Sequence, residues 1–335
     1  MMTRLKGTAF EGMCVDALSE RPPFLVLTVR DAVGEGEMIV RDVLDGIQLV
    51  YSRLKMRSCY QRVDDEALRF AAINYCVEGS YAWELENGRR GHLRKGEMCV
   101  GWQCEQAIVN SMLPLEFYEG ITILIDPERA QRALDKAFPA VRIPLERTLR
   151  QLCAGRDLFV ARPGLAAERV FASLADAKAD ACRELSLLRV IELMLLLPQS
   201  DAEVRLSAIK YPPMTVEAVR CLYHGILRDP LQKTTIPRLS QRYGVCQTTL
   251  KGCFKAVYGV PLGEFMRQSR LGAAARLLHE RADLSVSDVA ALAGYENPGK
   301  FSAAFKAFSG LAPKCYRCAI KCGRDGLEQS CDCAE

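Results

Sequence analysis

The chain contains the stretch Phe254-Lys255-Ala256-Val257-Tyr258-Gly259-Val260, and a related stretch, Phe305-Lys306-Ala307-Phe308-Ser309-Gly310-Leu311, follows 51 positions later. Before each copy, an apolar pattern with helical spacing ends at a glycine, and a polar residue then opens a new helical pattern. A helix, a tight turn and a second helix, present twice on one chain, predict two helix-turn-helix units within residues 239–317. The second helix of such a unit is the one that enters the major groove of DNA.

In the first predicted unit, Thr235 caps the first helix, Gly244 supplies a left-handed turn, and Cys246 takes the cap position of the second helix. The inner stripe of that second helix is apolar and consists of Leu250, Cys253, Phe254 and Val257. The opposite face is predicted to meet DNA and consists of Thr248, Lys251, Gly252 and Lys255. We expect Thr248 and Lys251 to contact bases, and Lys255 to contact phosphate or to serve the helix end.

In the second predicted unit, Ser285 and Asp288 form a variant capping box, and Gly294 turns the chain. Asn297 caps the next helix, with Pro298 at its first position. The inner stripe consists of Phe301, Ala304, Phe305 and Phe308, and the outer face of Gly299, Lys300, Ser302, Ala303 and Lys306. The DNA-binding residues predicted here are Pro298, Lys300, Ser302 and Lys306, of which Lys300 and Ser302 are the expected base readers. The second turn is one residue longer than the first.

A long helix over Leu262–His279 is predicted to join the two units. Its length would be roughly 27 Å at a rise of about 1.5 Å per residue. One turn of DNA is about 34 Å long, so two rigidly spaced recognition helices can read successive major grooves.

These residues carry a resemblance to the AraC/XylS family of bacterial transcription regulators. The second unit, from Gly294-Tyr295-Glu296-Asn297 through Phe305-Lys306 to Tyr316-Arg317, resembles the family signature. The first unit is similar at Phe254-Lys255 and Gly259-Val260-Pro261. The resemblance covers about Met214–Arg317 and implies sequence-specific DNA binding under the control of an effector. Asn74–Gly79 and Tyr118–Ile121 also resemble a siderophore-regulator-like branch of the family.

The chain departs from the family pattern at two positions of the first unit. The family usually has serine at the position of Cys246, so the cap is expected to be weaker here. Many members carry a long polar side chain at the position of Gly252. A glycine inside a helix costs about 1 kcal/mol relative to alanine and offers no side chain to a base.

The N-terminal half is predicted to hold short antiparallel strands, with clear patterns from Ile47 onward and a hairpin at Asn87-Gly88. The fold class is therefore α+β: a cupin-like antiparallel barrel at about 45–126 with helices at about 127–198, then an all-α region. The predicted divisions are an effector-binding and dimerisation domain at 1–200, a linker at 201–214, a DNA-binding domain at 215–318 and a cysteine-rich tail at 319–335. The helix over Leu185–Leu197 packs either on the sheet or on a twin helix in a dimer.

Charge supports a polyanionic partner at the C-terminal end. Residues 214–317 contain 15 Lys/Arg and 7 Asp/Glu, a net charge of +8, whereas the whole chain is +4 and the remainder is therefore −4. No apolar run is long enough to cross a bilayer, so we expect a cytoplasmic protein without membrane contact. The expected partners are promoter DNA, RNA polymerase, an unidentified small-molecule effector and a second copy of the chain.

Two other classes of function stay open from the sequence. A metal-dependent barrel enzyme is disfavoured because the chain has only His92, His224 and His279, so we predict no enzyme activity and no cofactor. The aromatic residues of the same barrel are either core or the lining of a small-molecule pocket; they are Tyr75, Tyr81, Trp83, Trp102 and Phe117. A thiol- or metal-responsive regulator would use the C-terminal cysteines, namely Cys315, Cys318, Cys322, Cys331 and Cys333. An unliganded tail is the simpler interpretation of that cluster.

Overall fold

The structure is a computed structural model, and it describes residues 15–21, 24–30, 34–57, 70–85, 90–102, 108–140, 142–153, 158–177, 182–199 and 211–321. The chain splits into two compact units. The first takes in Met1–Lys210 and Ala256–Val260, and the second takes in Tyr211–Lys255 and Pro261–Glu335. The predicted α+β class, an antiparallel sheet followed by a helical region, is confirmed.

The first unit is built on a sheet whose strands are β1 Val15–Arg21, β2 Phe24–Arg30, β3 Glu35–Leu44, β4 Ile47–Lys55, β5 Ala71–Leu85, β6 Arg90–Arg94, β7 Met98–Trp102, β8 Ile108–Met112, β9 Tyr118–Ile125 and β10 Leu158–Ala161. All pairings among the described strands are antiparallel. The order of the main path is β1-β2-β3-β4-β9-β5-β7-β10, with β6 and β8 both paired to β5.

One long strand replaces the predicted strand-turn-strand at residues 70–85. The sequence Glu78-Gly79-Ser80 predicts a turn, but β5 continues through it, so that prediction is wrong. The register shifts between Cys76 and Glu78, and Gly79 has φ +83. A single residue in the left-handed region bends a strand as a β-bulge instead of reversing it. The first half of β5 therefore pairs with β7 and β9, and the second half with β6 and β8.

The sheet also extends beyond the predicted barrel range of about 45–126. Strands β1, β2 and β3 precede it. Both β1, which is an edge strand, and β3, which lies between β2 and β4, contain charged residues at many positions, and such composition weakens the strand pattern. β10 has four residues among helices and pairs with β7, a contact between distant parts of the chain that no local pattern encodes. The predicted Asn87-Gly88 turn lies outside the described residues, although β5 and β6 pair on either side of it.

Four helices of the first unit follow the sheet: α1 Pro127–Ala137, α2 Leu145–Cys153, α3 Leu165–Ala177 and α4 Arg183–Leu196, with a short 3-10 helix at Leu197–Gln199. Alternate residues of β4, such as Ile47 and Leu49, belong to a core shared with these helices, whereas Val50 belongs to a core on the other face. The ring of Phe171 from α3 stacks on Tyr75 of β5 at a centroid distance of 4.4 Å. The helices thus cover one face of the sheet.

Over residues 211–321, the regular structure is helical. The helices are α5 Pro213–Arg228, α6 Ile236–Tyr243, α7 Gln247–Tyr258, α8 Leu262–Glu280, α9 Val286–Leu292, α10 Pro298–Ser309 and α11 Pro313–Lys321. They belong to the second unit, except that the last three residues of α7 are assigned to the first. α8 has buried residues on several sides, including Phe265, Leu271 and Leu278, which is the pattern of a central helix. The two predicted helix-turn-helix units correspond to α6–α7 and α9–α10.

Candidate nucleic-acid interface

The first helix-turn-helix has a tight turn at Gly244, which has φ +64 and ψ +24. The N–H of Gly244 donates to the carbonyl of Gln241, and the N–H of Val245 donates to the carbonyl of Ser240. These two bonds are the Schellman arrangement, which satisfies the last carbonyls of a helix. The Ser240 hydroxyl also donates to the carbonyl of Val245 at 2.7 Å. Thr235 holds the cap position of α6, but its side chain makes no capping hydrogen bond, so the predicted Thr235 cap is wrong in that respect.

The predicted inner stripe of α7 is buried, with Leu250, Cys253 and Phe254 at 0% exposure. At the start of α7, the Cys246 sulfur lies 3.0 Å from the Thr249 hydroxyl oxygen. Hydrogen bonding by the Thr249 side chain lowers the pKa of the Cys246 thiol, and the backbone N–H groups of Thr249 and Thr248 lower the pKa further. Cys246 therefore occupies the cap position as predicted, with a thiol where better acceptors usually stand.

The second helix-turn-helix contains the predicted capping box. The Ser285 hydroxyl accepts from the N–H of Asp288 at 3.1 Å, and the Asp288 carboxylate accepts from the N–H of Ser285 at 2.8 Å. Gly294 has φ +81. The Asn297 side chain accepts from the N–H of Gly299 at 2.8 Å and of Lys300 at 3.1 Å. The cap of α10 is thus stronger than that of α7, as the sequence predicts.

The two turns are built alike, and their bonds are 50 positions apart. The N–H of Gly294 donates to the carbonyl of Ala291, and the N–H of Tyr295 donates to the carbonyl of Ala290. These bonds match the pair made by Gly244 and Val245 in the first turn. The cap residues, Cys246 and Asn297, are 51 positions apart. The second turn therefore contains one additional residue, which confirms the predicted difference in length.

Helix α8 packs against both helix-turn-helix motifs, through an aromatic group near its start and a separate apolar cluster farther along. Phe265 packs on Tyr223 of α5 at 5.0 Å and on Phe254 of α7 at 5.2 Å between ring centroids. Farther along α8, Leu271, Leu278 and neighbouring alanines share a core with Phe301 and Phe305 of α10. The helix has 19 residues, so it is about 28 Å long at a rise of about 1.5 Å per residue. Both recognition helices are packed against one rigid element.

The eight predicted DNA-binding residues lie on the side of α7 or α10 away from the buried stripe. Six of them are exposed: Thr248, Lys251, Lys255, Pro298, Lys300 and Lys306. Gly252 and Ser302 are half-buried. Within the described residues, the four lysines form no ion pair with a carboxylate. No carboxylate in the described part of the chain therefore neutralises the lysines on these faces.

Two exposed arginines of α6, Arg238 and Arg242, add positive charge that the site prediction does not include. They are four positions apart, so they share one face of the helix, and Leu239 is the buried residue beside them. The first helix of this motif crosses the DNA backbone, where arginine contacts phosphate. The spacing of the arginines on either side of a buried leucine is the signal that identifies them in the sequence.

The two helix-turn-helix motifs differ in net charge. Residues 229–258 contain five Lys/Arg and one Asp, a net charge of +4, whereas residues 281–310 contain three Lys/Arg and three Asp/Glu, a net charge of 0. In the second helix-turn-helix, the Arg281 guanidinium also forms an ion pair with the Asp283 carboxylate at 2.7 Å. Phosphate attraction is sequence-independent and grows with the number of free cations. The first helix-turn-helix thus carries the greater net positive charge.

The groups that an enzyme or metal site would need are scattered. His92 belongs to β6 of the first unit, while His224 and His279 belong to α5 and α8 of the second. Across the described residues, no group of three or more His, Cys, Asp and Glu side chains is arranged to hold a metal ion. Cys315 and Cys318 lie on α11 as free thiols. The other three tail cysteines, Cys322, Cys331 and Cys333, fall outside the described residues.

The aromatic residues proposed to line one pocket divide between two cores. Tyr75 and Trp102 belong to the core beneath the helices, whereas Trp83 belongs to a different core with Tyr81 packed against it. Phe117 is half-buried.

In the part of the chain that the structure describes, none of the helices combines the length and the apolar character needed to cross a membrane.

Comparison with known proteins identifies the helical unit. A family model described as a helix-turn-helix domain matches residues 239–319. A putative AraC-like transcription regulator of Streptomyces lividans is 32% identical over 105 residues, 31% of this chain and 33% of that protein. The HTH-type transcriptional activator AarP of Providencia stuartii is 31% identical over 85 residues, 25% of this chain and 62% of that protein. The chain carries an AraC-type helix-turn-helix domain.

The similarity to relatives is concentrated in this AraC-type domain. The chain matches a third of the length of the Streptomyces protein and 62% of the Providencia protein, less than two thirds in each case. Among solved structures, the DNA-binding domain of AdpA in complex with a target DNA is 24% identical, covers 32% of this chain and 98% of that chain, and has a TM-score of 0.30. ToxT from Vibrio cholerae is 12% identical, covers 81% of this chain and 98% of that chain, and has a TM-score of 0.31.

Proposed function

We propose that this protein is a sequence-specific DNA-binding transcription regulator. The observation that carries the proposal is the pair of recognition helices, α7 and α10, packed on the single helix α8 with exposed lysines on their outer faces. The AraC-type domain supports it, since that domain is found in relatives named as transcription regulators. Fixed spacing through α8 lets the two helices read successive major grooves, which are about 34 Å apart.

The eight candidate residues divide by role. Thr248, Lys251, Lys300 and Ser302 are proposed to contact base edges, because they lie in the first turns of the recognition helices. Lys255 and Lys306 lie near the helix ends and are proposed to contact phosphate. Gly252 and Pro298 allow close approach but offer no side-chain donor. Arg238 and Arg242 join the phosphate contacts from α6.

The test is selection of a bound duplex from a randomised pool with the full chain, followed by titration of variants. Lys251→Ala and Lys300→Ala should each weaken binding to the selected site by about 1–3 kcal/mol if the lysine contacts a base. Lys136→Ala on α1 is the matched control, because Lys136 is exposed on the other unit. Hydroxyl-radical footprints should show two protected tracts about 10–10.5 base pairs apart. Unchanged affinity in both lysine variants would refute the assignment of the recognition faces.

The finer parts of the proposal concern the first unit, which we propose binds an effector and a second copy of the chain. Helix α4 buries Leu187, Val190, Leu193 and Met194 against the sheet core. The same helix exposes Leu185, Leu188 and Leu195, at 44%, 52% and 49%. Exposed leucines that repeat along one face are typical of a helix that packs on a partner helix. Sedimentation of the Leu188→Asp variant tests this, with a shift from dimer to monomer expected.

Control of transcription would follow from a shift in populations. An effector that binds one arrangement of the chain more tightly biases DNA binding, or contact with RNA polymerase, by its differential affinity. Genome-wide mapping of bound promoters in the cytoplasm of the native host is the most informative experiment. The operon next to the bound promoter would indicate the chemical class of the effector.

A further inference from the structure

Gly252 lies at the centre of the outer face of α7. The residues four before it and three after it, Thr248 and Lys255, are its neighbours on that face. The buried stripe, which includes Leu250 and Phe254, lies on the opposite side of the helix. A recognition helix inserted in a major groove would therefore present the Gly252 position directly to the base edges.

A tyrosine from the start of the second unit covers this position. A Cβ atom placed on Gly252 would collide with the hydroxyl of Tyr211 and would lie 3.5 Å from Tyr211 Cζ. The phenol thus approaches the backbone of α7 as closely as only a glycine permits. Tyr211 is half-buried, and within the described residues its hydroxyl makes no hydrogen bond. A phenol hydroxyl is thereby placed over Gly252, on the helix face that also carries Thr248 and Lys255.

The backbone holds Tyr211 in place. Pro212 and Pro213 follow it directly, and proline fixes its own φ and restricts the residue before it to extended conformations. The Pro212 carbonyl accepts from the N–H groups of Thr215 and Val216, so the prolines form the start of α5. α5 in turn buries Val219, Leu222 and Tyr223. Tyr211 is consequently attached to the core by a rigid segment.

We infer that Tyr211 is a further specificity-determining residue, whose hydroxyl supplies the DNA contact that Gly252 lacks. A phenol hydroxyl both donates and accepts, so it can bond a base edge or a phosphate oxygen. The inference rests on the proposed function, since it assigns a contact on the proposed recognition face.

The test uses the full chain and the selected duplex. Tyr211→Phe removes only the hydroxyl and should weaken binding about three- to tenfold, the effect of one hydrogen bond. The slope of affinity against salt should stay unchanged, because a neutral group releases no counterion. Tyr316→Phe is the matched control, since Tyr316 packs edge-on against Phe305 at 5.3 Å within the core. Thermal unfolding should be the same for Tyr211→Phe and the parent protein.

Gly252→Ala provides the second variant. It should favour the helix yet weaken binding, because the new methyl displaces the Tyr211 hydroxyl. The DNA affinity of the Tyr211→Phe/Gly252→Ala double variant should be no lower than that of the single variant that binds more weakly. Unchanged affinity in Tyr211→Phe, or tighter binding in either variant, would overturn the inference, and tighter binding would identify Tyr211 as a plug. If Lys251→Ala and Lys300→Ala weaken binding while Tyr211→Phe does not, only this inference fails. If the lysine variants also have no effect, the proposed recognition face fails.

Discussion

Asn297 is the residue whose replacement tests most directly how the second recognition helix is held. Its side chain accepts from two N–H groups, those of Gly299 and Lys300, and both residues are exposed. In Asn297→Ala, water can solvate both groups, so the loss should be near the typical value of about 1 kcal/mol for a removed cap. A decrease of about 2 kcal/mol or more in the free energy of unfolding would require that water cannot reach these two N–H groups.

This loss converts into a measurable change in melting temperature. The helical unit is described over residues 211–321, which are 111 residues. At about 2.1 cal/mol/K per residue, its unfolding entropy is about 0.23 kcal/mol/K near 60 °C. A loss of about 1 kcal/mol therefore lowers the melting temperature of this unit by about 4 °C. Calorimetry of the full chain measures it as a shift in the unfolding transition of the helical unit.

Asn297→Asp is the control that separates folding from charge. It keeps an acceptor at the cap and places a negative charge at a helix N-terminus, so stability should be retained or raised. The same carboxylate would face DNA phosphates, so affinity should fall. An unchanged melting temperature in Asn297→Ala would refute the conclusion that this side chain holds the start of α10. Equal DNA affinity in Asn297→Asp and the parent would refute its placement at the DNA surface.

Three further predictions concern the core, the first cap and the tail. Phe305→Ala should lower the free energy of unfolding by about 3–5 kcal/mol in urea titrations, because Phe305 is fully buried, whereas half-buried Phe308→Ala should cost less. The lowered pKa of the Cys246 thiol raises its thiolate fraction at neutral pH, so Thr249→Val should shift the pH midpoint of Cys246 alkylation upward; a midpoint that does not move would contradict the role of Thr249. A chain that ends at Lys321 should bind DNA with the same affinity as the full chain. The full chain, purified anaerobically, should contain no stoichiometric metal. Weaker DNA binding after truncation, or bound metal in the full chain, would favour the thiol- or metal-responsive alternative.

Local chemistry made much of the helical unit predictable. The turns depend on residues that lie next to one another, such as Gly244 before Cys246, and their conformations follow from that short stretch. The capping box of Ser285 and Asp288 is likewise encoded within four positions. The contribution of Tyr211 to the face of α7 was not predictable, because it joins residues 41 positions apart and Gly252 has no side chain to indicate it.

The sheet was harder to predict because its contacts are distant in sequence. β10 pairs with β7 across more than fifty residues, and its four residues lie among helices. Glu78-Gly79-Ser80 has the composition of a reversing turn, and only the partners of β5 on both halves show that the strand continues. For helix α4, the sequence predicts packing either on the sheet or on a twin helix of a dimer. One face of α4 packs on the sheet and the other exposes leucines, so the two interpretations are compatible.

The additional residue in the second turn has a consequence for engineering. A designer who exchanges recognition residues between α7 and α10 must pair positions 51 apart, such as Cys246 with Asn297. Exchange of the preceding turns requires pairs 50 apart, such as Gly244 with Gly294. A chimera that is joined within residues 244–246 and uses one offset for both the turn and the helix would place its grafted helix one residue out of register. One residue of an α-helix corresponds to a rotation of about 100°, so buried side chains would turn toward DNA.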